Sequence, residues 1–286
     1  MTKANEKMKQ AADQVIALME SEGTNWVKPW TSHGAPHNVI SGKAYRGSNL
    51  LFLGLTSHVK GYESNSWATF KQWADLGASV KKGEKSTSIF FFSVLEKQDA
   101  KTKEKNSFGF WKSYSVFNAD QVEGYEAKTI DKPELSPIAS AELFVNNTQA
   151  SITHEGDRAC YIPALDQIKM PNLQAFTGEG EYYSTLLHEL THWTGHKSRL
   201  DRGKGNSFGS EEYAREELVA ECGAALLCVL LGIEKEPTPN HARYLNSWIQ
   251  AIKNDHKAIF SAMSQAQKAI DYLESLQSNE QLLAAE

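Results

Sequence analysis

Hydrophobic spacing divides this chain of 286 residues into a mixed first part and a mainly helical second part. From Lys3 to Glu22, Met8, Ala11 or Ala12, Val15 and Met19 recur on one face and predict an amphipathic helix. Leu50 to Lys60 reads the same way. So does Ser66 to Leu76, where Trp67, Phe70 and Trp73 stand at i, i+3, i+6. From Thr87 to Leu95 the period changes, and Ile89, Phe90, Phe91, Phe92 and Val94 predict a strand. Lys112 to Asn118 predicts a second strand, with Lys97 to Asn106 as the charged hairpin loop between them. Further on, a short helix is expected over Ala141 to Asn146. Strands are expected at Ile152, over Ala159 to Ile162 and over Asp166 to Met170, ended by Pro171. Helices then dominate from Glu181 to Leu276. In the last stretch Leu245, Trp248, Ile252, Ile259, Met263 and Ile270 share a broad face, most simply used for packing within the chain.

Charge follows the same division. Residues 1–128 carry 17 Lys and Arg against 13 Asp and Glu, a net +4, and the remainder carries 13 against 22, a net −9. Five of the seven tryptophans (Trp26, Trp30, Trp67, Trp73, Trp111) also lie in the first part. The segment from Lys128 to Pro137 has two prolines and no periodicity, as a linker does. The expectation is an α+β chain of two domains. A small mixed α/β domain occupies 1–128, a linker 129–140, and a mainly helical domain with a small sheet 141–286. Three cysteines (Cys160, Cys222, Cys228) without metal-binding spacing argue for a reducing, cytoplasmic setting. The least interrupted apolar segment, Leu218 to Ile233, is broken by Glu221, Gly223 and Gly232, so no membrane partner is expected.

The second part contains His188-Glu189-Leu190-Thr191-His192, an H-E-x-x-H string in a helical stretch. Residues four apart on a helix lie one above the other, so His188 and His192 can offer two imidazole nitrogens to one ion. Glu189 can then point at a water on that ion, as a zinc hydrolase requires. Leu186, Leu190 and Trp193 can pack this helix into a core, and Gly195 is a plausible stop. Catalytic zinc usually takes a third protein ligand. His196 lies more than two turns from His188 and cannot converge with the other two. An H-x-x-G-x-x-H extension fails because position 198 is Ser.

A second helix through Glu216, Glu217 and Glu221 supplies the better candidate. Glu217 and Glu221 share a face, and Glu217 as ligand with Glu221 hydrogen-bonding a ligand histidine is the preferred order, although the spacing permits the reverse. A competing reading makes Glu211, Glu212, Glu216 and Glu217 a solvated acidic first turn. Glu221 resists it, being set among Ala220, Cys222, Gly223 and Ala224. The spacing resembles that of the gluzincin peptidases, in which H-E-x-x-H is followed by E-x-x-x-D, with Glu221 here in place of Asp. The resemblance implies a zinc peptidase site with Glu189 as general base, although Mn2+ and other divalent metals accept the same ligands. Tyr182, Tyr183, His196, Tyr213 and Arg215 are candidates to stabilise an oxyanion. An edge strand pairs with extended substrate in zincin folds, and Asp166 to Met170 is the candidate for it.

In the first part, aromatics alternate with Lys, Arg and Asn. Single-stranded nucleic acid favours that mixture, because bases stack on rings while cations follow phosphates. The candidates are Trp26, Trp30, Tyr45, Arg46, Asn49, Trp67, Lys71, Lys81, Lys82 and Lys85, and core packing explains the tryptophan spacing equally well. Tyr45-Arg46-Gly47-x-Asn49, Trp67-x-Thr-Phe70 and Gly77-x-x-Val-Lys-Lys-Gly-Glu84 resemble the N-terminal region of the ArdC antirestriction proteins, and related regions occur in some plasmid-borne primases. Tyr161-x-Pro-x-x-Asp166-x-Ile-x-Met-Pro171 and His188-Glu-Leu-Thr-His-Trp-Thr-Gly-His-x-x-Arg199-Leu resemble the metallopeptidase-like domain of the same family. The resemblance implies a single-stranded DNA-binding domain joined to a zincin-like domain, and protection of incoming conjugative plasmid DNA from host restriction. A host restriction enzyme or another protein is then a candidate partner or substrate. Two other readings stand beside it: a DNA-coating or partner-binding protein whose metal domain is not proteolytic, and a general metallopeptidase.

Overall fold

The structure is a computed structural model that describes residues 3–23, 35–98, 105–126, 136–202, 210–233 and 241–277. Trp26, Trp30 and part of the expected linker lie outside those residues. The first part runs α1 (Lys3–Glu22), β1 (His37–Asn38), α2 (Ser48–Lys60), β2 (Ser66–Ala68), α3 (Phe70–Asp75), β3 (Ser79–Val80), β4 (Thr87–Gln98), β5 (Lys105–Asn118) and β6 (Val122–Glu123). The second runs α4 (Pro137–Thr148), β7 (Ser151–His154), β8 (Cys160–Ile162), β9 (Gln167–Met170), α5 (Glu179–Thr194), α6 (Glu211–Leu231), α7 (His241–Asn254) and α8 (Ala258–Ser275). The order confirms an α+β architecture. Among the described residues no helix is long and apolar enough to cross a membrane.

The largest sheet has the order β1-β2-β5-β4, with a long antiparallel ribbon from Thr87↔Val116 to Gln98↔Lys105. Both strands reach further into the expected loop than the charge pattern suggests. Strand β4 is an edge, and Asn49 covers it locally. The Asn49 Oδ1 accepts from the Phe90 N–H at 2.7 Å, and its Nδ2 donates to the Phe90 carbonyl at 2.9 Å. One buried amide thus replaces a neighbouring strand at that residue.

The single helix expected over Ser66 to Leu76 is a strand and a helix instead. Thr69 is extended, its hydroxyl accepts from the Gln72 N–H, and the Gln72 side chain returns to the Thr69 N–H. This capping box starts α3 at Phe70, so the helical spacing of Trp67 and Trp73 is accidental. The two indoles fill separate cores. Trp67 packs with Tyr45, Leu53, Ile89 and Val116, and Trp73 packs with Ala68, Ala78 and Val122.

The principal core ignores the division in charge. Met8, Val15 and Met19 of α1, Phe52 of α2 and Phe90 of β4 join Leu187, Leu226, Trp248, Phe260 and Met263 in one cluster. The Phe260 ring meets Phe52, Phe90 and Trp111 at centroid distances of 5.1, 5.3 and 5.8 Å. Trp248, Ile252, Ile259, Met263 and Ile270 are buried, so the apolar face of the last helices is used within the chain. Outside this core, the Gly47 N–H donates to Gln267 Oε1 at 2.9 Å, and Arg46 pairs with Asp271 and Glu274 of α8.

The three-stranded sheet has the order β7-β9-β8. The Asp166–Met170 segment therefore cannot serve as the substrate-pairing edge. Its strand β9 lies in the centre, parallel to β7 and antiparallel to β8, and both of its edges are engaged. The edge nearer α5 is β8.

Replacing Asn49 by Ala should remove both bonds to Phe90 and strand two backbone groups at a buried position. The expected loss is about 1–3 kcal/mol, read as a lower urea midpoint at unchanged slope.

Candidate metal centre

Helix α5 begins after Gly178 with Glu179 and Glu181 in its first turn, where the helix dipole favours acidic groups. Leu186, Leu187, Leu190 and Trp193 bury its core face. Helix α6 is capped at its start by Ser210, whose hydroxyl accepts from the Tyr213 N–H, and at its end by Gly232 in the left-handed region. Most of α6 from Glu217 to Val229 is buried, as befits a central helix.

The two helices meet at Gly223. A Cβ there would lie 2.5 Å from Thr191 Cγ2 and 2.6 Å from its Oγ1, well inside contact distance. Glycine is a poor helix former, costing about 1 kcal/mol against alanine. The close approach of α5 explains why it stands here. Six residues earlier on α6, Glu217 faces the histidines of α5.

The His188 and His192 Nε2 atoms lie 3.6 Å from Glu217 Oε2 and Oε1, respectively. One ligand atom from each residue lies within 4.8 Å of the others, the one such group among the described residues. Bonds of about 2 Å in a tetrahedral site put ligand atoms roughly 3.3 Å apart, so these side chains need only small adjustments to hold a cation. Two imidazoles and a carboxylate suit zinc, and also manganese or cobalt.

The outward-turned Nδ1 atoms have acidic neighbours. His188 Nδ1 faces the fully buried Glu221 at 3.8 Å, and His192 Nδ1 faces Glu216 at 3.4 Å. Arg202 holds Glu216 from the far side at 3.0 Å and donates to the Thr191 carbonyl at 2.6 Å. Each imidazole can therefore donate from Nδ1 and leave Nε2 free to bind. The sequence anticipated Glu221 in this position but not Glu216 or Arg202. By sequence Glu216 reads only as part of a solvated acidic turn. A signal existed: Glu216 precedes Glu217, and a helix turns adjacent residues by about 100° to different faces of the same site.

Glu189 is buried beside His188, and its Oε2 accepts from the Tyr161 N–H at 2.7 Å. The edge strand β8 thus touches the carboxylate next to the first ligand. Tyr161 OH donates to Asp166, which also receives Arg199. Arg199 lies 3.8 Å over the Trp193 ring and donates to the Trp193 carbonyl at 2.6 Å. The turn between β8 and β9 is thereby fastened to the end of α5. The Arg199 guanidinium beside Asp166 is the main reason its pKa falls to about 2.

Among the other candidates, His196 bonds Ser198 and approaches Asp166 at 4.0 Å, away from the ligand group. Tyr213 bonds Glu217 and steadies that carboxylate. Tyr182 OH pairs with His154 Nε2 at 2.8 Å.

The candidates for nucleic-acid contact scatter. Trp67 is wholly buried, so it presents no ring face to a base. Tyr45 is buried with it, Asn49 is committed to β4, and Arg46 is paired to α8. Lys71, Lys81, Lys82 and Lys85 are exposed, with Lys81 Nζ also on the Asp120 carbonyl at 2.9 Å. Trp26 and Trp30 fall outside the described residues.

Fold and site together define a chain with a zincin-like metallopeptidase domain behind a smaller α/β region. A family model described as a zincin-like metallopeptidase matches residues 139–265, and one for the N-terminal domain of anti-restriction factor ArdC matches residues 5–117. The antirestriction ArdC protein from plasmid R388 has been crystallised metal-free and with Mn(II) bound. These two structures are 39% and 38% identical to this chain, with TM-scores of 0.79 and 0.80. They cover 94% and 95% of it, and it covers 97% and 98% of them. The uncharacterised protein y4eC of Sinorhizobium fredii is 38% identical over 280 residues, spanning 94% of this chain and 91% of its own length. DNA primase TraC of Escherichia coli is 36% identical over 287 residues, but this chain spans only 26% of that primase. The chain belongs to the ArdC antirestriction family.

Burial alone would lower the His188 pKa, but Glu217 and Glu221 override it and hold the imidazole near 10. Burial would likewise raise Glu217, and His188 with His192 brings it down to about 2 instead. A cation must displace the His188 proton, so affinity should rise with pH until about 10, by about tenfold per unit. Calorimetry in two buffers of different ionisation enthalpy should show proton release on binding near neutrality. Gly223→Ala should lower stability by about 1–3 kcal/mol despite alanine's helix preference, and weaken metal binding as α6 moves off α5. Thermal melts with and without Zn2+ read both effects.

Proposed function

We infer that this chain is a cytoplasmic antirestriction protein that binds single-stranded DNA and carries a divalent-metal peptidase site, and that it protects incoming conjugative plasmid DNA from host restriction. The observation that carries the enzymatic part is the convergence of His188, His192 and Glu217 beside a buried Glu189. Membership of the ArdC family supports the protective role. The Mn(II)-bound relative supports a divalent cation, and His188, His192 and Glu217 are the side chains that would hold it, with zinc the first choice for this donor set.

A cation bound there would supply Lewis-acid polarisation of a scissile carbonyl and would acidify a water. The chain's own groups do the rest. Glu189 takes the proton from the attacking water and passes it to the leaving amine. The Tyr161 N–H fixes the Glu189 carboxylate through Oε2, leaving its other oxygen for that exchange. Glu221 and Glu216, the latter backed by Arg202, keep the two imidazoles oriented. Lys71, Lys81, Lys82 and Lys85 are exposed cations for phosphate contact.

Glu189→Gln should reduce cleavage of a casein or fluorogenic peptide substrate by at least about a hundredfold, while metal content and oligonucleotide binding persist. Normal proteolysis by the variant would overturn the role given to Glu189. The same variant should be carried through a conjugation assay into a restricting host. Protection that survives the loss of cleavage would assign antirestriction to DNA binding and leave proteolysis as a separate activity.

A further inference from the structure

The β4–β5 ribbon carries aromatic side chains where burial would be expected. Phe91, Tyr114 and Phe110 are 44%, 47% and 36% exposed. The register Ile89↔Tyr114, Phe91↔Lys112 and Ser93↔Phe110 places these three rings with Lys112 on one face of the ribbon. Residues of the same strand that stand between them point to the other face. Phe91 and Tyr114 meet edge to face at 5.6 Å, and Lys112 Nζ stands 5.3 Å from the centroid of Phe110. Two aromatic platforms thus flank one cation.

The chemistry of this face is selective. From Thr87 to Val94 and from Gly109 to Val116 there is no Asp or Glu, and Lys112 is the one charged residue. Among the residues of this face whose burial is described, the exposed side chains are the three aromatic rings and the lysine, with Ser93 half-buried between them. Tyr114 and Phe110 are four residues apart on one strand, about 14 Å, a length that roughly four stacked nucleotides span. Rings of this kind offer π-faces to any base, and a lysine between them meets the phosphates.

We propose that the outer face of the β4–β5 ribbon, built from Phe91, Phe110, Lys112 and Tyr114, is a single-stranded nucleic-acid binding surface in which the rings stack on bases and Lys112 pairs with the backbone. The proposal rests on the DNA-binding reading above and gives it a place. Most of the aromatic side chains that composition suggested are buried or lie outside the described residues, whereas these rings are open. The face also belongs to the part of the chain, residues 1–128, that carries net positive charge.

The test is fluorescence anisotropy with a labelled oligothymidylate, on the full chain, at two salt concentrations. The variants are Phe91→Ala/Tyr114→Ala, Phe110→Ala, Lys112→Gln and, as a control, Val94→Ser, which alters a 60% exposed residue on the opposite face. The aromatic variants should lose about ten- to a hundredfold in affinity. Lys112→Gln should flatten the salt dependence by about 0.7 in log–log slope. Val94→Ser should bind as wild type. If wild type binds and all four variants bind equally, the surface lies elsewhere while the DNA-binding reading stands. If wild type does not bind, both fall. If sedimentation shows that Phe91→Ala/Tyr114→Ala dissociates a dimer with DNA affinity unchanged, the face serves a second copy of the chain and the proposal is overturned.

Discussion

The separation between α5 and α6 governs this molecule. Thr191 fills the space where Gly223 has no side chain, and that contact sets how deeply the two helices engage. Glu217 can reach His188 and His192 only because of it. The same approach buries the His188 imidazole and three carboxylates and half-buries His192, groups that water would otherwise solvate. Isolated buried charges are costly, and the site answers with alternation: each histidine meets an acid on both sides, and Arg202 balances the outermost one. A metal site of this kind is as much an electrostatic solution as a packing one.

The rest of the fold braces this pair. Helix α8 packs on α5 and α6 and also receives Phe52, Phe90, Gly47 and Arg46 from the first part of the chain. The Tyr45 to Asn49 segment therefore acts as a joint. One residue fills a core, one pairs with α8, one approaches Gln267 through its bare backbone and one closes a strand edge. A Gly at position 47 meets a specific need, since its φ of 54° with ψ of −134° suits no side chain.

Legibility in the sequence followed the range of the interaction. His188, Glu189 and His192 are fixed by helix geometry within one turn and could be read directly. Glu217 and Glu221 needed only a second helix of ordinary period. Glu216, Arg202 and the Asp166–Arg199 pair depend on how loops return to the helices, which no local pattern encodes. Trp67 and Tyr45 failed as DNA contacts for a related reason: composition names the side chain but not the direction it faces. The central place of β9 was also hidden, because a four-residue strand with alternating burial fits an edge as well as a middle. At Ser66 to Leu76 the deciding signal is local: Thr69 and Gln72 spell a capping box that outweighs the spacing of the tryptophans.

Asn49 has a further consequence beyond stability. An edge strand rich in phenylalanine is a template on which another chain can add a strand, and β4 holds three in succession, from Phe90 to Phe92. By occupying both outward hydrogen-bonding groups of Phe90, one amide side chain takes that residue out of the template. A strand adding to this edge would therefore find no free backbone groups at Phe90, the one phenylalanine of the three whose ring is also buried.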